Sequence, residues 1–265
     1  MKIVNLAALF LVLALPLPAA HAQSVYIEDL TWPEIRDAMA AGKKTAIVYA
    51  GGIEQNGPHM ALLKHNLIAR NLAGRIAEKL GNALVYPIIP FSPAGDPVAK
   101  TGHMRFPGTI SLSSEVYLGV VRQVALSALS AGFTQVYLMG DHGGGAAELR
   151  VAAESLDADW RTKGARVRFI DTQTKPTQQM NAYMKERNIT PGGHAGVAET
   201  AQVIYLDEGK KQIRRDKYAA SAAGPEPAAG VLVDPTPATA EMGRMFVDFK
   251  VAAAVEQIQA AATQK

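Results

Sequence analysis

The chain has 265 residues, 48% of them hydrophobic and 19% charged, with a formal net charge of +3. That balance describes an ordinary globular protein, and with no Lys/Arg run it excludes a nucleic-acid binder that works by bulk charge. Cysteine is absent, so there is no disulfide framework, and any metal must be held by nitrogen and oxygen ligands.

The first stretch, MKIVNLAALFLVLALPLPAAHAQ, carries one cation at Lys2, an apolar run from Ile3 to Leu15, then Pro16, Pro18 and Ala20-His21-Ala22. This is the layout of a secretory signal cut after Ala22; the run is too short for a membrane span and ends in prolines. Export to the periplasm or medium is therefore expected, with no membrane partner after cleavage. The mature chain would be 265 − 22 = 243 residues (23–265), with a charge of +3 − 1 = +2 once Lys2 is gone. That length fits one α/β domain.

From there strands and helices alternate. Thr31-Trp32-Pro33-Glu34 is a capping box with proline in the first turn, predicting a short helix to about Ala41. TAIVYA, Thr45 to Ala50, suits a buried strand. Ile68, Leu72, Ile76 and Leu80 recur every four residues, predicting a helix over His65 to Leu80 that stops at Gly81. Ala83 to Ile89 reads as a strand and Ser113 to Ala131 as a helix ended by Gly132. Gln135 to Met139 is a third strand, followed by a helix with Leu149, Ala153, Leu156 and Trp160 on one face. Val167 to Ile170 is a fourth strand and Thr174 to Arg187 a further helix; Ala219 to Ala229 reads as a surface loop. Strands separated by helices predict a parallel sheet covered on both faces, a three-layer αβα fold.

Ligands in such folds bind beyond the carboxyl ends of the strands. GGIEQNGPHMALLKHN, from Gly51, begins at that end of the first strand, and Asp141-His142-Gly143-Gly144-Gly145 lies at that end of the third. Of the five histidines left after cleavage, His59, His103, His142 and His194 sit in Gly/Pro-rich segments and His65 where a loop enters its helix. A single loop histidine is usually just a solvated or hydrogen-bonded residue; five so placed, with Glu54, Asp141 and Glu199 nearby, point to a metal centre.

Five segments in order, GGIEQNGPHM running on to His65, HMRFPGT from His103, GDHGGG from Gly140, HAGVAET from His194, and VLVDPTPATAEMGR from Val231, resemble the creatininase family of metal-dependent amidohydrolases. The likeness covers nearly all of the mature chain. It implies a creatininase-like αβα fold, hydrolysis of a C–N bond in a small molecule, a homo-oligomer, and two metal ions. The family's ligands are the loop Glu, a loop His, a bridging Asp, the glycine-loop His and a further Glu.

Here Glu54 and His142 match, but Asn56 stands at the loop His and His65 at the bridging Asp. A carboxylate joins two ions, whereas a neutral imidazole has one free lone pair and serves one. The expectation is thus one divalent ion per chain, zinc first with manganese or iron as alternatives, held by Glu54, His65 and His142, with Glu199 or Asp141 as fourth ligand. His194 or Glu199 would move the proton. Asn56, His59, His103, Gly143 and Gly144 would face the substrate, the glycine N–H groups helping to hold an oxyanion. For His59 and His103 the bland reading, bracing loops by hydrogen bonds, stands beside this one. Trp32 and Trp160 lie in predicted helices away from these loops, so creatinine itself is not the expected substrate; a cyclic or linear amide or a lactone remains open.

Two other classes compete with this reading. HGGG also resembles the oxyanion loop of serine hydrolases, but no G-x-S-x-G elbow follows it. An exported protein that kept the fold and now binds a ligand or partner without catalysis is the second, since fold alone does not carry function.

Overall fold

A computed structural model of the protein describes residues 24–223, 230–231 and 233–263. At its centre, Thr45–Ala50 (β1) is buried at every position, as a strand covered on both faces must be. Its side chains alternate. Ile47 and Tyr49 enter one core with Tyr137 and Met139, while Ala46, Val48 and Ala50 enter a second core with Val136 and Leu138. Each large apolar side chain so buried contributes roughly 1.5–3 kcal/mol.

Gln135–Gly140 (β3) pairs along the whole of β1, while Ala83–Val85 (β2) and Arg166–Phe169 (β4) flank them. The sheet order is β2-β1-β3-β4, all parallel. The second strand is shorter than the sequence suggests: Pro87 brings no N–H to a ladder, and pairing resumes only as an isolated bridge from Ala50 to Ile89.

Trp32–Ala40 (α1), Ser114–Ala131 (α3) and Ala146–Trp160 (α4) cover one face of the sheet. Lys64–Leu80 (α2), Val197–Leu206 (α6) and Ala240–Thr263 (α8) cover the other. This is the three-layer αβα arrangement. Thr174–Lys185 (α5) packs on α6 and α8 through Met180, Met184, Ala201 and Phe246. The caps are those the sequence announces: Thr31 and Glu34 close the box on α1, Ser113 accepts from the Val116 amide, and Gly81 and Gly132 end their helices in the left-handed region.

Three further helices were not among the elements expected from sequence. HAGVAET is a turn only as far as Gly196, after which α6 begins. The closing segment leads into α8, which approaches α6 so closely that a Cβ at Gly243 would lie 1.9 Å from the Ala201 carbonyl oxygen. The expected loop from Ala219 begins inside a short helix, Tyr218–Ala223 (α7); residues 224–229 fall outside the described set, as does the expected leader. Among the described residues no helix is long and apolar enough to cross a membrane.

Candidate metal centre

β1 ends at Ala50 and the chain turns over Gly51 and Gly52, whose amide donates to Asn66 Oδ1 on α2 (3.0 Å). This delivers Glu54, 1% exposed, to the carboxyl end of the sheet. Five cationic or basic side chains converge on its carboxylate. Oε1 faces His65 Nε2 at 2.8 Å, Lys64 Nζ at 3.2 Å and His194 Nδ1 at 3.5 Å. Oε2 faces His142 Nε2 at 2.5 Å and His103 Nε2 at 3.3 Å. Burial alone would raise the Glu54 pKa, but Lys64 and the hydrogen bonds from His142 and His65 overwhelm it and hold the group far below the usual carboxylate range.

His65, at the second position of α2, has no nitrogen to spare. Its Nδ1 meets Asp141 Oδ2 at 2.7 Å and its Nε2 meets Glu54. Both nitrogens therefore donate to carboxylates. Burial and Lys64 push its pKa down, yet Asp141 and Glu54 outweigh them and keep it raised, an imidazolium rather than a ligand. Asp141 is equally committed, since its Oδ1 takes Lys250 Nζ from α8 at 2.6 Å. Glu199 binds Lys64 Nζ (2.7 Å) and the Ala195 amide (2.7 Å) through Oε2; burial raises its pKa, but Lys64 carries it down to about 2. That amide bond also holds Ala195 at φ 54°, a left-handed conformation uncommon for a residue with a Cβ.

Asp141 and Glu199 are thus held by Lys250 and Lys64, and His65 by two carboxylates; among the described residues the set with ligand spacing is different. Glu54, His103 and His142 each bring a donor atom within 4.8 Å of the others. This donor set, a carboxylate and two imidazoles, suits zinc or a similar ion. His142 Nδ1 accepts from the Gly144 amide at 2.9 Å, so the ring proton sits on Nε2 toward Glu54; moving that proton to Nδ1, where the Gly144 carbonyl lies 3.2 Å away, would free Nε2 to ligate. His103 Nδ1 receives the Gln55 side-chain N–H at 3.0 Å, which leaves the proton on Nε2; the Gly57 amide, donating to Gln55 Oε1 at 2.9 Å, holds the carboxamide in that orientation, so freeing Nε2 would require the proton on Nδ1 and the amide turned against the Gly57 N–H. The fold also demands glycine here, because a Cβ at Gly144 would fall 2.1 Å from the Pro93 carbonyl oxygen.

His194 is set differently. Its Nε2–H donates to the Gln55 carbonyl at 2.7 Å, so Nδ1 keeps its lone pair toward the site. Burial, then Lys64, lowers its pKa to about 4, and it stays neutral near pH 7. Its ring lies over that of His103, centroids 4.4 Å apart.

Two of the expected substrate contacts are structural instead. Asn56 is fully buried, its Nδ2 donating to the Glu54 and Ala61 carbonyls and its Oδ1 without a partner. His59 is fully buried between Thr200 (3.0 Å) and Ser221 (2.9 Å). Neither lines the open cavity of about 370 Å³ over the site, whereas His103, His142, Gly143, Gly144, Gln173, His194 and Glu199 do. The Gly144 amide is turned onto His142 Nδ1 (2.9 Å) and so is not free for an oxyanion. Lys64, Lys250, Gln55 and Gln173 were not anticipated; each is an ordinary surface residue type until the fold closes around it.

The family described as "Creatininase: Creatinine amidohydrolase" matches residues 28–258. The chain belongs to the creatininase family. Its members are hydrolases. Creatinine amidohydrolase of Pseudomonas putida is 31% identical over 121 residues, an alignment spanning 46% of each chain, so about half of that relative is matched. The mycofactocin precursor peptide peptidase of Mycobacterium tuberculosis (strain CDC 1551 / Oshkosh) is 29% identical over 224 residues, 75% of this chain and 78% of that one. A solved mutant creatininase described as of Zn–Zn type superposes with TM-score 0.73 at 23% identity, over 91% of this chain and 99% of that one, a likeness of fold.

Proposed function

We propose that this creatininase-family protein is a metal-dependent amide hydrolase holding one divalent ion per chain, zinc before manganese or iron, on Glu54, His103 and His142. The observation that carries this is the convergence of those three donors beneath a solvent-reached cavity, with the neighbouring carboxylates already engaged by fixed cations. A divalent ion bound there supplies Lewis acidity, polarising a carbonyl and lowering the pKa of a coordinated water. His194 Nδ1 belongs to a neutral base on the cavity wall whose other nitrogen is already satisfied; it takes the proton of the attacking water and returns it to the leaving nitrogen. Gln55 fixes the His194 ring through its carbonyl and the His103 ring through its side chain, so one residue sets the placement of both imidazoles. Glu199, tied to Lys64 and the Ala195 amide, shapes the wall beside His194.

An amidohydrolase and a peptidase among the relatives support an amide linkage as the bond cut. The cavity wall is imidazole, carboxylate, carboxamide and glycine, which favours a small polar amide; neither tryptophan lines it, so creatinine is not the substrate proposed. The test is elemental analysis of protein purified without chelator, with a hydrolysis screen over linear and cyclic amides and lactones. Protein that takes up no ion after zinc or manganese supplementation sinks the metal reading. It would favour a non-catalytic ligand binder, to which the charge balance of the buried cluster lends itself. Export is proposed as well, with a mature chain starting at Gln23, checked by intact mass of the secreted form. A homo-oligomer is proposed from family resemblance, and light scattering showing a monomer would refute it.

A further inference from the structure

Lys64 is the first residue of α2 and its side chain has no exposed surface. An ammonium taken out of water costs several kcal/mol unless it is paired and hydrogen-bonded. Here Nζ reaches Glu54 Oε1 at 3.2 Å and Glu199 Oε2 at 2.7 Å, carboxylates brought from two distant segments. The two oxygens of Glu54 divide the site: Oε2 faces His103 and His142, while Oε1 faces Lys64 and His65 closely and His194 at 3.5 Å.

One compact cation gathering carboxylate oxygens from separate segments does what a divalent ion does between carboxylates. We propose that the Lys64 ammonium is the built-in second cation of this centre: it fills the place between Glu54 and Glu199 that a second divalent ion would occupy, and so limits the chain to one ion. This rests on the metal reading of Glu54, His103 and His142. It makes Lys64 a positioning residue, holding Glu54 and Glu199 at a fixed separation without touching substrate.

The experiment compares the wild type, Lys64→Ser and Lys64→Ser/Glu199→Gln for bound Mn²⁺ and Zn²⁺ per folded chain, and for melting temperature against metal concentration. The wild type should saturate at about one ion per chain. Lys64→Ser leaves buried Glu54 and partly exposed Glu199 without the cation that links them, so it should be less stable in chelator, regain its fold in excess metal, and bind about two ions. The double variant, with one carboxylate neutralised, should return to about one ion and lose the metal-dependent rescue. A Lys64→Ser chain that folds and holds only one ion, or that stays unfolded at millimolar metal, overturns the inference while leaving a one-ion wild type intact. A wild type that binds none sinks the metal reading itself, and this inference with it.

Discussion

Lys250 ties the C-terminal helix to the site, and its removal gives a calculable loss. Nζ lies 2.6 Å from Asp141 Oδ1, with the lysine only 4% exposed among the apolar residues of α8. Lys250→Met keeps the length and the apolar stem but leaves Asp141 with only His65 (2.7 Å) and a long contact from Gln173 (3.4 Å). Removing one partner of a buried pair strands a charge and costs about 3–5 kcal/mol. For a chain of this size each kcal/mol lowers the melting temperature by roughly 2–4 °C, so the fall should be roughly 6–20 °C. The assay is urea and thermal unfolding of Lys250→Met, Asp141→Asn and the double variant. Asp141→Asn removes the buried carboxylate, and the new amide oxygen can still accept from His65. The double change should therefore be milder than the sum of the singles by more than about 1 kcal/mol. A Lys250→Met loss under about 1 kcal/mol, or strict additivity, would show that the pair is not what secures α8.

Three further outcomes are expected. His142→Ala should lose the ion, because it removes one of three donors, and elemental analysis reads the loss directly. Gln55→Glu gives His103 Nδ1–H an acceptor while keeping one for the Gly57 amide, so metal affinity should rise about 10–100-fold by competition titration; unchanged affinity would show that His103 is not a ligand. Burial, then Lys64, lowers the His59 pKa to about 4 from an ordinary value near 6.5. The unfolded chain therefore takes up this proton first, and stability should fall as pH drops from about 6.5 toward about 4, by at most about 3 kcal/mol from this residue. His59→Gln should flatten that slope in urea unfolding followed across pH; an unchanged slope would refute it.

How much was legible follows from what each residue does. β1 and β3 were readable because both faces are buried and their sequences are continuously apolar. α2 and α3 were readable because they carry an apolar stripe and a glycine stop. α8 was not, because it packs on α2, α5 and α6 at once, so its apolar positions run around the helix, small alanines blur the period and Gly243 interrupts it. α6 hid for a related reason, starting shortly after His194 on a segment that reads as a turn. Within the site, Glu54, His103, His142 and His194 were legible as polar residues in loops at the strand ends. What sequence cannot show is which nitrogen points where, and the proposed ligand set rests on that: His65 spends both nitrogens on carboxylates, while His103 turns one toward Glu54. Lys64 and Lys250 were invisible because lysine is a surface residue almost everywhere unless paired.

Charge accounts for one of the two departures from the family pattern, the histidine at position 65. Glu54, Asp141 and Glu199 bring three negative charges, and Lys64, Lys250 and the imidazolium of His65 bring three positive ones. The cluster is therefore neutral before any ion enters. An aspartate at position 65 would replace one cation by an anion, giving +2 − 4 = −2, the deficit that one more divalent ion cancels. With an imidazolium there and an ammonium at 64, a second ion on the Oε1 side meets two cations and no deficit. At about 4 Å and an effective dielectric near 20, each costs about 4 kcal/mol per unit of ion charge. The Oε2 side opens instead to the cavity, where water screens those cations and two imidazoles can supply lone pairs. A single ion bound there would bring the cluster to +2 facing the cavity. That field would favour the negative charge that develops on a carbonyl oxygen as water adds.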